Sequence, residues 1–430
     1  MSAQKAYFIG IGGIGMSALA QLMADGGTAV SGSDREASPT TDLLAKKGIA
    51  VVIGQRTENV PEDADLVVYT EAAWEDNVER MRAKELGLPQ MSYFAALGEA
   101  AKGKRLIAVA GTHGKTTTTA MTAKILEAAG AAPSAVVGSI VRDFGSNYLA
   151  GAGEWLVVEA CEYKRDFLTL YPEIAVVTNI EWDHTDFYKD LGEVQSAFKE
   201  FMSRAKVVVT DASSPNIAPL LEGLSAAIVD YAKEPAYALS LPGEFNRMNA
   251  RAAAAAARSA VPGLAEDVVA SALAGFEGTW RRFEYKGKTR KGADVYDDYA
   301  HHPTAVAATL AELRARAKGK LYVAFHPHLY SRTKDLLDGF ATAFEGADGV
   351  FIAPIYAARE IDNGSISSAM LAERIAATGV PAEAKSFDEI RDAFEAYAGE
   401  GDVVATMGAG DIYKVADALV PPRAGLVGRS

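Results

Sequence analysis

The chain reads as an α/β protein of three domains built on largely parallel sheets, and three observations predict this. Short β-rich runs alternate with helical stretches almost throughout, the pattern that lays helices on a parallel sheet. Two glycine-rich turns each join an apolar strand directly to a helical pattern. At 430 residues the chain also exceeds what one hydrophobic core ordinarily serves, so it should divide.

The first unit opens with strand AYFIGIG, a helix from Met16 to Ala24 and strand TAVSGSD. Strands IAVVIG and DLVVYT follow, then helix NVERMRAKELG and a short strand in PQMSY. The charged, glycine-containing AKGKR (101–105) reads as a linker, giving a first domain of 1–102. The second, 103–278, starts with the apolar strand LIAVA (106–110) and runs through WLVVEA, IAVVTNI and KVVVT to helix NARAAAAAARSAV. So many small side chains predict a helix packed closely on a neighbour. FEGTWRRFEY leads into the third domain, 279–430. There strands GADVYDDY, KLYVAF, GVFIAPI and DVVATMG alternate with helices TAVAATLAELRARA and SSAMLAERIAAT.

Composition excludes several classes of function. A net charge of −13 argues against a nucleic-acid or acidic-membrane partner, since either needs a basic face. The single cysteine, Cys161, excludes a disulfide framework and reads as a small buried residue in a reducing compartment. The chain enters its first strand without a basic-then-apolar leader, and no apolar run approaches a membrane span. A cytoplasmic protein is expected; its oligomeric state is not legible.

Two loops and a set of strand ends carry the chemistry. Gly111-Thr112-His113-Gly114-Lys115-Thr116, followed by Thr117, lies between strand and helix. Its glycines let backbone N–H groups approach phosphate, the new helix points its positive end there, Lys115 adds charge and Thr116 offers a hydroxyl to Mg²⁺. Gly10-Ile11-Gly12-Gly13-Ile14-Gly15 satisfies G-x-G-x-x-G, and Asp34 ends the next strand, placed for a ribose. That loop accepts any diphosphate, in NAD or in a UDP-linked substrate. All six histidines (His113, His184, His301, His302, His326 and His328) fall just beyond strands, where α/β sheets bind ligands. Glu159 ends a strand beside the phosphate loop and is placed for Mg²⁺, with His184 a candidate at a second metal. Arg332 could fork onto a carboxylate, or be an ordinary surface arginine.

Nine segments in order (GIGGIGMSALA, SGSD, GTHGKTTTT, EACEY, TNIEWDH, WRRFE, DDYAHHPT, HPHLYSRT and MGAGDIYK) resemble the Mur ligases, the ATP-dependent amino-acid-adding enzymes of peptidoglycan synthesis. The resemblance implies a Rossmann-like N-terminal domain for a UDP-sugar, a central P-loop ATPase-type domain, and a Rossmann-like C-terminal domain contacting ATP and the amino acid. Within the family it points to the branch joining L-alanine to the carboxylate of UDP-N-acetylmuramate through an acyl phosphate, with ATP and Mg²⁺. It moves Gly12, Gly13, Ile14, Gly15 and Asp34 from NAD to the UDP-sugar. It gives Gly111 to Thr117, Asn246, Asn249, Arg282 and Asp298 to ATP, and Thr116, Glu159 and His184 to metals. His301, His328 and Arg332 go to the amino acid, and Lys115, His301 and Arg332 to catalysis, with His301 the acceptor for the amine's proton. Phe245 stands where many relatives have histidine, and Leu329 where some have a second arginine. Lys199 lies near a position where sister ligases carry a carbamoylated lysine, but is out of register. The alternatives are a ligase that recycles a whole peptide onto UDP-N-acetylmuramate, an NAD-dependent oxidoreductase and a non-catalytic nucleotide-binding scaffold.

Overall fold

A computed structural model describes residues 3–421 and contains three sheets. The first holds β1 (Lys5–Ile9), β2 (Ala29–Asp34), β3 (Ala50–Ile53), β4 (Leu66–Tyr69) and β5 (Gln90–Ser92). All are parallel, in the order β3-β2-β1-β4-β5. Strand order reverses between β1 and β4, which opens a crevice at their carboxyl ends where the first glycine loop lies. Apolar Ala6 to Ile9 are buried, as strands covered on both faces must be.

The second sheet holds β6 (Arg105–Ala110), β7 (Ser134–Val141), β8 (Ser146–Leu149), β9 (Trp155–Glu159), β10 (Ile174–Val177), β11 (Val207–Thr210) and β12 (Ala227–Asp230). Its order is β12-β11-β10-β6-β9-β7-β8, with only β8 antiparallel to its neighbour. Strands β7, β8 and β12 were not foreseen. Gly138 is a strand residue with no room for a side chain, because a Cβ there would strike the Glu159 carboxylate. Arg105 belongs to β6 and not to a linker: it pairs with Glu154 and Glu173, each at 2.8 Å, and lies over the Trp155 ring. The alanine-rich helix starts earlier than its pattern suggested, at Glu244, and ends at Ala260. Ala252 to Ala257 are buried and let it pack closely on helix Lys115–Ala128.

The third sheet holds β13 (Glu284–Lys288), β14 (Asp294–Asp298), β15 (Leu321–Phe325), β16 (Gly349–Ile352), β17 (Ala382–Ala384) and β18 (Val403–Met407). The order is β13-β14-β18-β15-β16-β17, with only β13 antiparallel. Its core gathers Val295, Ala324, Phe351 and Val404 from the strands with Ile390, Phe394 and Leu419 from two helices. By density of contacts, 3–182, 190–240 and 244–279 form one compact unit, and 183–189, 241–243 and 280–421 another. Among the described residues, no helix is long and apolar enough to cross a membrane.

Candidate active site

In the first glycine loop, most backbone donors are already committed. The N–H groups of Gly10 and Ile11 bond to Ser33 O at 2.8 and 2.9 Å, Gly12 N–H to Asp34 Oδ2 at 2.8 Å, and Gly13 N–H to Gly10 O at 3.1 Å. Asp34 therefore spends one carboxylate oxygen bracing the loop. Ser33 is anchored from below by Glu79, whose buried carboxylate also accepts from Asn59 at 2.8 Å, Arg56 N at 3.1 Å and the Tyr7 hydroxyl at 3.2 Å. Among the described residues no side chain caps helix Ile14–Asp25, so the first-turn N–H groups of Ile14, Gly15 and Met16 remain open. Such a turn suits a diphosphate.

The second loop is held by the segment after β10. Gly111 (φ +136°) and Gly114 (φ +82°) take backbone conformations that favour glycine, and both are crowded: a Cβ would strike the Thr178 hydroxyl and the Asn249 amide, respectively. Thr178 donates to His113 O at 2.6 Å, Asn179 Oδ1 accepts from His113 N at 2.9 Å, and Asn179 O accepts from Thr112 N at 3.1 Å. The threonine and asparagine of TNIE thus clasp the phosphate loop, a role that spacing in the sequence does not reveal. His113 lies 3.6 Å from the Glu181 carboxylate. Asn246 and Asn249 are buried one turn apart on helix Glu244–Ala260, and Asn249 abuts the loop at Gly114. Thr117 is buried beneath it.

Lys115 is folded back over its own loop. Its ammonium bonds to Gly111 O, to Thr112 O at 3.3 Å and to Glu162 Oε1 at 2.9 Å. Burial alone would lower its pKa, but the Glu162 charge, together with its hydrogen bond and the other acidic groups nearby, raises it, so the lysine stays charged. Glu162, almost fully buried, is a partner the sequence reading had not singled out. Thr116 Oγ1 lies 3.1 Å from Glu159 Oε1, whose other oxygen accepts Gly138 N–H at 2.8 Å. A hydroxyl and a carboxylate at that spacing are hard oxygen donors and fit Mg²⁺. Cys161 is half-buried, and burial pushes its thiol up to about 12, which suits a structural role.

His184 belongs to the second compact unit, together with Arg282, Asp298, His301, His328 and Arg332. Asp298 ends β14 and accepts Phe283 N at 2.6 Å and Ala300 N at 2.7 Å. Burial pushes its pKa up to about 6, opposed by Arg282 and those two donors. Arg282 lies over the Tyr299 ring at 4.9 Å, and its neighbours Arg281 (φ +58°) and Phe283 (φ +50°) both hold left-handed backbone. Arg281 is buried, bonding Asp297 at 2.7 Å, Gly408 O at 2.7 Å and Gly410 O at 2.8 Å. It ties the WRRF turn to the loop after β18. Nothing in the sequence distinguished the two arginines.

Arg332 is not a surface residue. It is 2 % exposed, bonds Asp183 Oδ1 through Nε at 2.7 Å and meets His328 Nδ1 through Nη1 at 2.8 Å. Burial alone would raise the Asp183 pKa, but Arg332 and then His184 hold the carboxyl well below its usual range. Asp183 Oδ1 also accepts His184 N at 2.7 Å, and His184 takes φ +52°. His301 Nδ1 lies 2.9 Å from Tyr299 O, which can only accept, so that nitrogen carries the proton and Nε2 presents a lone pair. Arginine can only donate, so His328 has the opposite tautomer, with the proton on Nε2. Their rings are 6.1 Å apart. Burial, then the Arg332 charge, holds His301 well below its ordinary pKa and His328 down to about 3, so both are neutral near pH 7. His302 caps helix Pro303–Arg316 by accepting Thr304 N. His326 is buried against Gly408 and Gly410. All six histidines follow the carboxyl ends of parallel strands, as expected.

Three family models match in succession: "Mur ligase family, catalytic domain" over 5–105, "Mur ligase middle domain" over 109–238 and "Mur ligase, glutamate ligase domain" over 281–410. The UDP-N-acetylmuramate–L-alanine ligase of Clostridium kluyveri is 39 % identical, covering 96 % of this chain and 97 % of its own. That of Clostridium acetobutylicum is 36 % identical with the same coverage. The crystal structure of the UDP-N-acetylmuramate–alanine ligase from Thermotoga maritima superposes with a TM-score of 0.80 at 29 % identity, over 96 % of this chain and 98 % of that one. On these matches, which span nearly its whole length, the chain belongs to the Mur ligase family.

Proposed function

We propose that this protein joins L-alanine to the carboxylate of UDP-N-acetylmuramate at the expense of ATP, in peptidoglycan precursor synthesis. The observation that carries the reading is the phosphate loop, with Lys115 and Thr116 beside the carboxylates of Glu162 and Glu159. The choice of substrates follows the relatives named above, which match it over 96 % of its length. We assign the glycine loop of Gly12 to Gly15 to the UDP-sugar, residues 111–117 with Asn246, Asn249, Arg282 and Asp298 to ATP, and Thr116, Glu159 and His184 to metal. Domain boundaries at 102/103 and 278/279 and a cytoplasmic location complete the proposal.

A carboxylate does not condense with an amine at neutral pH, because its oxygen is too poor a leaving group. The muramoyl carboxylate takes the γ-phosphoryl group of ATP, releasing ADP and leaving an acyl phosphate. Alanine's amine then attacks the acyl carbon, and phosphate departs as the amide forms. Lys115, released from its own loop, and the N-terminus of helix Lys115–Ala128 neutralise charge gathering on the transferred group. Thr116 and Glu159 would hold Mg²⁺, which when bound would supply further positive charge there. At the alanine, the His301 Nε2 lone pair is suited to receive a proton from the amine. The His328 Nε2–H and the Arg332 guanidinium are donors for the α-carboxylate, and they bind what all amino acids share.

Selectivity then rests on a small pocket, where one methylene is worth about 1–3 kcal/mol. Phosphate release with UDP-N-acetylmuramate and a panel of L-alanine, glycine, L-serine and a peptidoglycan tripeptide tests the proposal. L-Alanine is expected to give the highest kcat/KM. A preference for the tripeptide would make this a recycling ligase.

A further inference from the structure

Tyr93 opens helix Tyr93–Ala100 and presses its hydroxyl end on the first glycine loop. A Cβ built on Gly15 would lie 2.7 Å from Tyr93 Cζ and 2.9 Å from its hydroxyl oxygen. Gly15 is thus required by the tyrosine, and the phenol lies at the turn whose N–H groups remain open for a diphosphate.

The position of the ring is fixed from both sides. Ser92 caps the helix by accepting Ala95 N, and Phe94 meets the Tyr93 ring edge-on at 4.7 Å. Thr169 donates to Phe94 O at 3.1 Å, and Gly98 fits against Thr169 O at 2.8 Å from its would-be Cβ. Thr169 closes the segment Tyr163–Thr169, kinked at Lys164 and Arg165, which follows Glu159 and Glu162. Tyr93 is partly buried, and among the described residues its hydroxyl donates to no protein group. Burial, then the Glu159 charge, pushes its pKa well up, so it remains an O–H donor. A positioned phenol with its hydroxyl open, set at a helix turn suited to an anion, offers a donor to a ligand oxygen bound there.

We propose that Tyr93 is a substrate-binding residue whose hydroxyl donates to a diphosphate oxygen of the UDP-sugar held at Ile14 and Gly15. The inference rests on the proposed function and adds to it a residue that neither the motifs nor the relatives' names single out. Its role is to fix the diphosphate at the end of the loop nearest the phosphate-transfer residues.

The test is titration calorimetry with UDP and, separately, ATP, on the whole protein and on its Tyr93→Phe variant. The variant keeps the ring against Gly15, so its melting temperature should be unchanged. Its Kd for UDP should rise about ten-fold or more, the usual loss for a hydrogen bond to a charged group, and its Kd for ATP should not move. Equal UDP binding by the two proteins would overturn the role of Tyr93 and leave the proposed function intact. Equal weakening of UDP and ATP would overturn it too, as a packing effect. A wild-type protein that does not bind UDP would remove both the assignment of the glycine loop and this inference.

Discussion

Arg332 and Asp183 form a buried ion pair, Nε to Oδ1 at 2.7 Å, that couples the helix after β15 to the Asp183–His184 turn. The same guanidinium meets His328, so one residue sets both the Asp183 charge and the His328 tautomer. Replacing Asp183 with Asn leaves the arginine buried without its counter-charge. A loss of about 3–5 kcal/mol of stability is expected in chemical denaturation. A loss below 1 kcal/mol would show the pair to be open to water.

The histidines give stability a pH dependence of definite sign. His326 and His328 are held down to about 4 and about 3 in the folded chain, by burial first. The unfolded chain, with its histidines near pH 6.5, therefore binds more protons, and stability falls as pH drops below about 6.5 toward those folded values. Each histidine should cost about 2 kcal/mol between pH 7 and pH 5. Asp298, raised to about 6 in the fold, opposes this by about 1 kcal/mol, since the folded state takes up its proton first. His328→Gln should shrink the pH 7-to-5 difference in unfolding free energy by about 2 kcal/mol. An unchanged difference would mean His328 titrates normally.

Lys115→Ala should abolish ligation, but it is not structurally silent, because it strands the buried Glu162 carboxylate. Melting temperature should fall as well. Lys115→Ala combined with Glu162→Gln should recover the melting temperature and none of the activity. Recovery of activity would separate Lys115 from phosphate transfer.

Glu159→Gln should raise the Mg²⁺ concentration for half-maximal phosphate release about ten-fold, since an amide is a poorer ligand than a carboxylate. The amide oxygen can still accept Gly138 N–H, so the fold should hold. An unshifted Mg²⁺ titration would reduce Glu159 to a strand-end brace.

Adjacent arginines should behave differently. Arg281→Ala should cost about 3–5 kcal/mol, because it breaks a buried pair with Asp297. Arg282→Ala should leave stability within about 1 kcal/mol and raise the KM for ATP about ten-fold. The reverse assignment of the two effects would overturn this division.

By itself the sequence determined the alternation of strands and helices, the two glycine loops and the strand-end positions of the histidines. These are local: a glycine between an apolar strand and a helix has few other uses, and the carboxyl end of a parallel strand is where such sheets bind. It also supplied the nine segments that resemble the family. What only the tertiary structure decided is which polar groups are already engaged. Asp34, placed by its strand end for a ribose, also braces Gly12 with one carboxylate oxygen, and Arg332, open to a surface reading, is buried on Asp183. Gly138 is held bare by the Glu159 carboxylate, 21 residues away. Lys115 is neutralised by Glu162, 47 residues away, and Gly15 is shaped by Tyr93. Each of these depends on a partner distant in sequence. Periodicity and spacing report a residue's own element, while charge pairing and close approach are set by the element packed against it.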